Sequence, residues 1–154
     1  MNSAVEFHSH SIVTRSRDIA DFLTFGRWKR TCTIDFPKGV VEEKTVRIRK
    51  TTVQTYRLRV FDAVDYSYKC LASHAGNGVE YEVDEFHVGL RFTSNGKVFP
   101  LAVFRGTVET PCGLAALLTS VFPSSRPQQN LSHEAEARSL ANLLCQKLQL
   151  KLAI

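Results

Sequence analysis

Long apolar runs are missing from this chain. No stretch approaches the length of a membrane span, and the first thirty residues carry His8, His10, Arg15, Arg17, Asp18 and Asp21, which leaves no signal-peptide core. Met1-Asn2-Ser3 lacks the glycine that myristoylation requires, so any membrane contact is expected to be peripheral and the protein intracellular. Closely spaced cysteines are missing too. Cys32, Cys70, Cys112 and Cys145 are far apart, which is neither a dense disulfide framework nor a zinc knuckle, and reduced thiols are the expectation. There is no Walker loop, no Gly-x-Gly-x-x-Gly, no Gly-x-Ser-x-Gly and no His-Glu-x-x-His, so nothing points to a cofactor and none is expected. Repeats and low-complexity tracts are also absent, which argues against solenoids and tails.

What is present fits one core. The 154 residues, 44% hydrophobic with 10 Phe, 4 Tyr and 1 Trp, suffice for a single domain spanning 1–154 and are too few for two independent cores. Twenty Lys plus Arg against fifteen Asp plus Glu give a net charge of +5, a lean towards acidic partners.

The patterning is dominated by strands from Lys44 to Glu109. Arg47, Arg49, Arg57 and Arg59 alternate against Val46, Ile48, Leu58 and Val60, which predicts a hairpin pairing Ile48 with Leu58 and Val46 with Val60, all four arginines on one outer face. Glu80, Glu82 and Asp84 form an acidic row on another strand, and the bland reading of the arginines is an ion-pair ladder with that row as neighbour. The apolar phase shifts between Val83 and Phe86, which predicts a bulge at Asp84-Glu85. Asn95-Gly96 predicts a tight hairpin turn pairing Phe92 with Phe99, Leu90 with Leu101 and Val88 with Val103, with Pro100 on an edge strand.

Outside that block, Arg30 to Phe36 alternates as a strand through Cys32, Ile34 and Phe36. Three helices are expected: Arg17 to about Phe25 capped by Ser16, one opened by Thr110-Pro111 and ended by Pro123, and a longest one from about Ser132 whose apolar face is Leu140, Leu143, Leu144 and Leu148. That leucine face is expected to pack on the domain's own sheet, with self-association as the other use. The fold class is therefore α+β: a largely antiparallel meandering sheet of five to seven strands covered by two or three helices.

Candidate chemistry is sparse. Arg27, Trp28, Lys29 and Arg30 set three cations around the only tryptophan, which suits a headgroup interface or base stacking with phosphate contacts; the plain alternative buries Trp28 and solvates its neighbours. His8 and His10 share one face of an extended segment but lack a third and fourth ligand at signature spacing, so no metal site is expected. Cys112 at a helix start is the best nucleophile and has no base assigned to it. These observations favour a non-enzymatic, basic structural or assembly adaptor, of the kind represented by viral matrix proteins, that self-associates. It would bind an anionic lipid surface or nucleoprotein through Arg27, Trp28, Lys29, Arg30, Arg47, Arg49, Arg57 and Arg59. The alternatives are an RNA-binding module that sequesters RNA through the arginine face, and a small-ligand carrier or thiol enzyme using Cys112.

Overall fold

A computed structural model of the chain describes residues 3–17, 29–75, 79–111 and 131–154. The expected helices at Arg17–Phe25 and Pro111–Phe122 lie outside the described residues, apart from Arg17, which ends a strand, and Thr110-Pro111, which close another.

The elements in chain order are β1 (Ala4–Phe7), β2 (Ser11–Arg17), β3 (Lys29–Asp35), β4 (Val40–Arg47), β5 (Lys50–Arg57), a 3-10 turn (Leu58–Val60), β6 (Phe61–Ala75), β7 (Val79–Phe92), β8 (Val98–Pro111), α1 (Leu131–Leu148) and β9 (Lys151–Ala153). They form two sheets, one of five strands in the order β1-β2-β3-β4-β5 and one of four in the order β8-β7-β6-β9. This corrects the α+β expectation. The fold is mostly β, its core lies between two sheets, and a single helix among the described residues covers part of the second.

The first sheet is a pure antiparallel meander. Its β3–β4 corner is built by Asp35, whose carboxylate accepts the Lys38 amide at 3.0 Å, and by Gly39, which takes φ +63°. That amide is the main cause holding the Asp35 carboxyl below the usual carboxylate range. In the second sheet all pairs are antiparallel except β6–β9. The parallel return of β9 follows from a left-handed cap at Gln149 (φ 53°), after which the Leu150 amide reaches back to the Cys145 carbonyl at 3.2 Å.

One face of the first sheet supplies Ile12, Cys32, Ile34 and Val41; the second sheet answers with Phe61, Val64, Val88, Leu90, Phe99, Leu101 and Phe104, all within one buried cluster. Full burial of such a side chain stabilises by roughly 1.5–3 kcal/mol, so this cluster dominates the fold. Tyr56 of β5 closes one end, with ring centroids 5.5 Å from Phe92 and 5.3 Å from Phe99. α1 packs Ala137, Leu140, Ala141 and Leu144 into the same core, so the leucine face is taken up by the protein's own sheet, as its spacing indicates.

The sheets are stitched along the edge of β8. Thr14 Oγ1 donates to the Leu101 carbonyl at 2.9 Å, the Ser3 amide to the Val103 carbonyl at 2.8 Å, and Arg30 to the Pro100 carbonyl at 2.7 Å. Pro100 does stand on an edge strand. The ladder slips between Val88 and Gly89, which frees this stretch of β8 to bond across to the first sheet. No bulge occurs at Asp84-Glu85: both residues pair in unbroken register on each side. The phase shift seen in sequence reflects burial on both faces of β7, Phe86 on one and Glu85 on the other.

Candidate functional site

The β4–β5 hairpin turns at Ile48-Arg49 and its ladder runs from Arg47 opposite Lys50 to Val40 opposite Arg57. The expected pairing of Ile48 with Leu58 and Val46 with Val60 is therefore overturned. The observed register makes eight pairs with a two-residue turn and brings Val41 beside Tyr56 towards the core, whereas the expected one would strand residues 50–56 as a loop.

The consequence is that the four arginines do not share a patch. Arg47 and Arg49 stand at the hairpin tip, while Arg57 ends β5 and Arg59 lies in the 3-10 turn, about 23 Å away along the strand. Arg47 sits on the same face as Val41 and Tyr56, and Arg57 on the opposite one, because side chains alternate and paired residues share a face. The acidic row is no neighbour of theirs: Glu80, Glu82 and Asp84 belong to β7, flanked by β6 and β8 in the other sheet. The Asp84 carboxylate instead accepts the Tyr68 hydroxyl at 2.7 Å, which pushes the Tyr68 phenol upward.

The cation group around the tryptophan also divides. Arg27 and Trp28 lie outside the described residues. Lys29 is exposed on the outer face of β3, whereas Arg30 points inward: Nε lies 2.5 Å from Glu43 Oε1, Nη2 donates to Pro100, and the guanidinium sits 5.4 Å from the Phe99 ring centroid. Arg30 is a clamp between the sheets. Its place in the apolar phase with Cys32 and Ile34 is the sequence signal that separates it from Lys29.

What the structure does bring together is a different basic set. Arg17 pairs with Lys29, and Lys29 with Val46, so the β2–β3 end and the β4–β5 turn lie at one end of the first sheet. Lys29 and Lys44 are diagonal neighbours on its outer face, roughly 7–8 Å apart at the backbone, while Arg47 directly opposes Lys50 across the hairpin on the other face, the one shared with Val41 and Tyr56. Ile48, in the two-residue turn, is 57% exposed. None of the ion pairs among the described residues involves Lys29, Lys44, Arg49 or Lys50. Like charges as close as Lys29 and Lys44 repel, and an external anion would relieve the repulsion. Lys44, Lys50 and Ile48 escaped the sequence reading because the wrong register assigned that strand pair.

Elsewhere the chemistry is quiet. Cys32 is buried and desolvation pushes its thiol up to about 11, while Cys70 and Cys145 form no disulfide among the described residues and Cys112 lies outside them. The His8 ring lies 3.8 Å from the Glu6 carboxylate, and no group of three metal-ligating side chains occurs among the described residues. Glu85, 4% exposed, is held by His87 at 3.0 Å and Arg105 at 2.5 Å on the face of the second sheet away from Phe86. An open apolar cleft of about 320 Å³ lies between β1, β8 and α1, lined by Val5, Phe7, Phe104 and Leu140. No described helix is long and apolar enough to cross a membrane. No protein-family model, curated protein or solved structure matches the chain.

Proposed function

We propose that this protein is a non-enzymatic, matrix-like adaptor that works inside the cell and grips an anionic membrane surface with the hairpin end of its first sheet. The observation that carries the reading is the gathering of Arg49, Lys50 and the exposed Ile48 at the β4–β5 hairpin end, with Lys29 and Lys44 on the outer face of that same end of the sheet. Each cation brought close to an anionic leaflet contributes about 1 kcal/mol. An apolar tip residue between cations adds burial at the headgroup boundary, a contribution that phosphates in water do not offer. Arg27 and Trp28, joined in sequence to Lys29, would extend the same contact, with Trp28 at the headgroup level. Self-association of bound copies would complete the adaptor role.

Co-sedimentation tests this. The protein is expected to pellet with phosphatidylcholine vesicles that contain phosphatidylserine and not with those lacking it, and to be released as salt rises from about 0.05 to about 0.5 M, where the screening length falls to a few ångströms. Binding to mixed-sequence RNA with none to either vesicle would replace this reading with the RNA-binding module, and binding to neither would remove both.

A further inference from the structure

β5 ends the order of the first sheet, and among the described residues nothing pairs with its outer side. The hydrogen-bonding phase of the hairpin follows from two observations. The two-residue turn makes Arg47 and Lys50 the closing pair, and at the far end the Leu58 amide donates to the Gly39 carbonyl at 2.8 Å. Residues 50, 52, 54, 56 and 58 therefore spend their backbone groups on β4, and by alternation Thr51, Val53, Thr55 and Arg57 turn theirs outward. Proteins usually blunt such an edge with a proline, a bulge or an inward charge. β5 has no proline, its ladder with β4 runs without a slip, and every residue from Lys50 to Thr55 is exposed, Val53 at 52%.

We propose that β5 is a docking edge that takes an extended segment of a partner protein as a sixth strand, a segment of alternating apolar or hydroxyl residues with acidic residues at its ends. Charge selects the occupant. Cations bracket the edge, Arg49 and Lys50 at one end and Arg57 and Arg59 at the other, with uncharged Thr51 to Tyr56 between. A second copy aligned antiparallel sets Arg49 and Lys50 of each beside Arg57 and Arg59 of the other, and a parallel copy sets tip against tip. Both juxtapose like charges, so self-pairing is disfavoured, while an acidic-ended strand satisfies the ends and the ladder together.

The test uses a fluorescent peptide of alternating valine and threonine with two glutamates at each end, followed by anisotropy on the full chain. Binding is expected, at least tenfold weaker for the same peptide with lysine ends. It is expected to be lost when alternate peptide amides are N-methylated, since the strand then cannot donate. In the protein, Val53→Pro removes an outward amide that β4 does not use and is expected to keep the circular dichroism spectrum while binding falls at least tenfold. Amide exchange at Thr51, Val53 and Thr55 is expected to slow with peptide bound. Binding that survives N-methylation, or that leaves those amides exchanging as before, would reduce the contact to charge at the hairpin tip and overturn the edge proposal, as would failure to bind at all. A dimer of the parent that Val53→Pro dissolves would overturn the choice of occupant. Vesicle binding is measured separately and stands or falls independently.

Discussion

Arg30 shows how far a residue's role is legible from its neighbours in sequence. Flanked by Arg27, Trp28 and Lys29 it reads as one more surface cation, yet it alternates in phase with Cys32 and Ile34, and that phase decides its direction. Its side chain joins Glu43 and the Pro100 carbonyl and covers Phe99. Arg30→Ala is expected to lower stability by about 1–3 kcal/mol, because a shielded carboxylate and a carbonyl lose their partner. Chemical denaturation measures this, and a double-mutant cycle with Glu43 isolates the pair. An unchanged denaturation midpoint would make Arg30 surface after all. Cys32 makes a pH prediction. Burial raises its folded thiol from 9.0 to about 11, so the fold holds a proton that the unfolded chain has released. That contribution is complete below pH 9 and disappears as pH climbs towards 11, amounting to about 2–3 kcal/mol. The stability difference between the parent and Cys32→Ala should shrink across that window, and a constant difference would contradict the assignment.

At the level of elements, the type of β3 and α1 was readable, whereas Ser16-Arg17 and Thr110-Pro111, expected at helix starts, end strands, and register was not readable. The alternation through Cys32 and Ile34 marks β3, and the spacing of Leu140, Leu143, Leu144 and Leu148 marks α1. Leu144 is fully buried, so Leu144→Ala is expected to cost about 2–5 kcal/mol by denaturation, and a loss below 1 kcal/mol would place that face elsewhere. The Asn95-Gly96 signal did mark a turn, with Gly96 at φ +66°. The loop is wider than the sequence suggests: the Phe92 amide reaches the Lys97 carbonyl, Leu90 faces Phe99, and beyond the slip Val88 faces Ala102, not Val103. Turn residues report that the chain reverses, but loop length sets register, and here a bulge resets it again. The bulge depends on Gly89, where a Cβ would lie 2.8 Å from the Phe99 carbonyl oxygen and 2.5 Å from a Val98 methyl. Gly89→Ala is expected to destabilise by about 1–3 kcal/mol and to loosen the contacts of β8 with Thr14 and Arg30. Wild-type stability in that variant would show that the slip does not need glycine.

For the whole molecule, the composition indicated one core and did not reveal two sheets. Besides the shared core, bonds at the β8 edge join them, where the carbonyls of Pro100, Leu101 and Val103 accept from Arg30, Thr14 and Ser3, and the phase of Arg30 and Thr14 marks inward side chains without revealing which carbonyls they meet. The same holds for the site. The net charge of +5 was visible, but whether Arg47 stands near Arg59 or near Lys29 depends on the strand ladder, which local spacing did not settle. Position along the sheet, and not charge as such, is therefore expected to decide membrane binding, and one comparison separates the two. Arg49→Glu with Lys50→Glu reverses the hairpin tip, and Arg57→Glu with Arg59→Glu changes net charge equally at the other end of the sheet. Measured side by side on phosphatidylserine vesicles at fixed salt, with both variants retaining the parent's circular dichroism spectrum, the tip variant is expected to lose binding by at least tenfold and the far-end variant by less than about twofold. Equal losses would mean that net charge alone drives adsorption, and a larger loss at Arg57 and Arg59 would place the contact surface at the wrong end of the sheet.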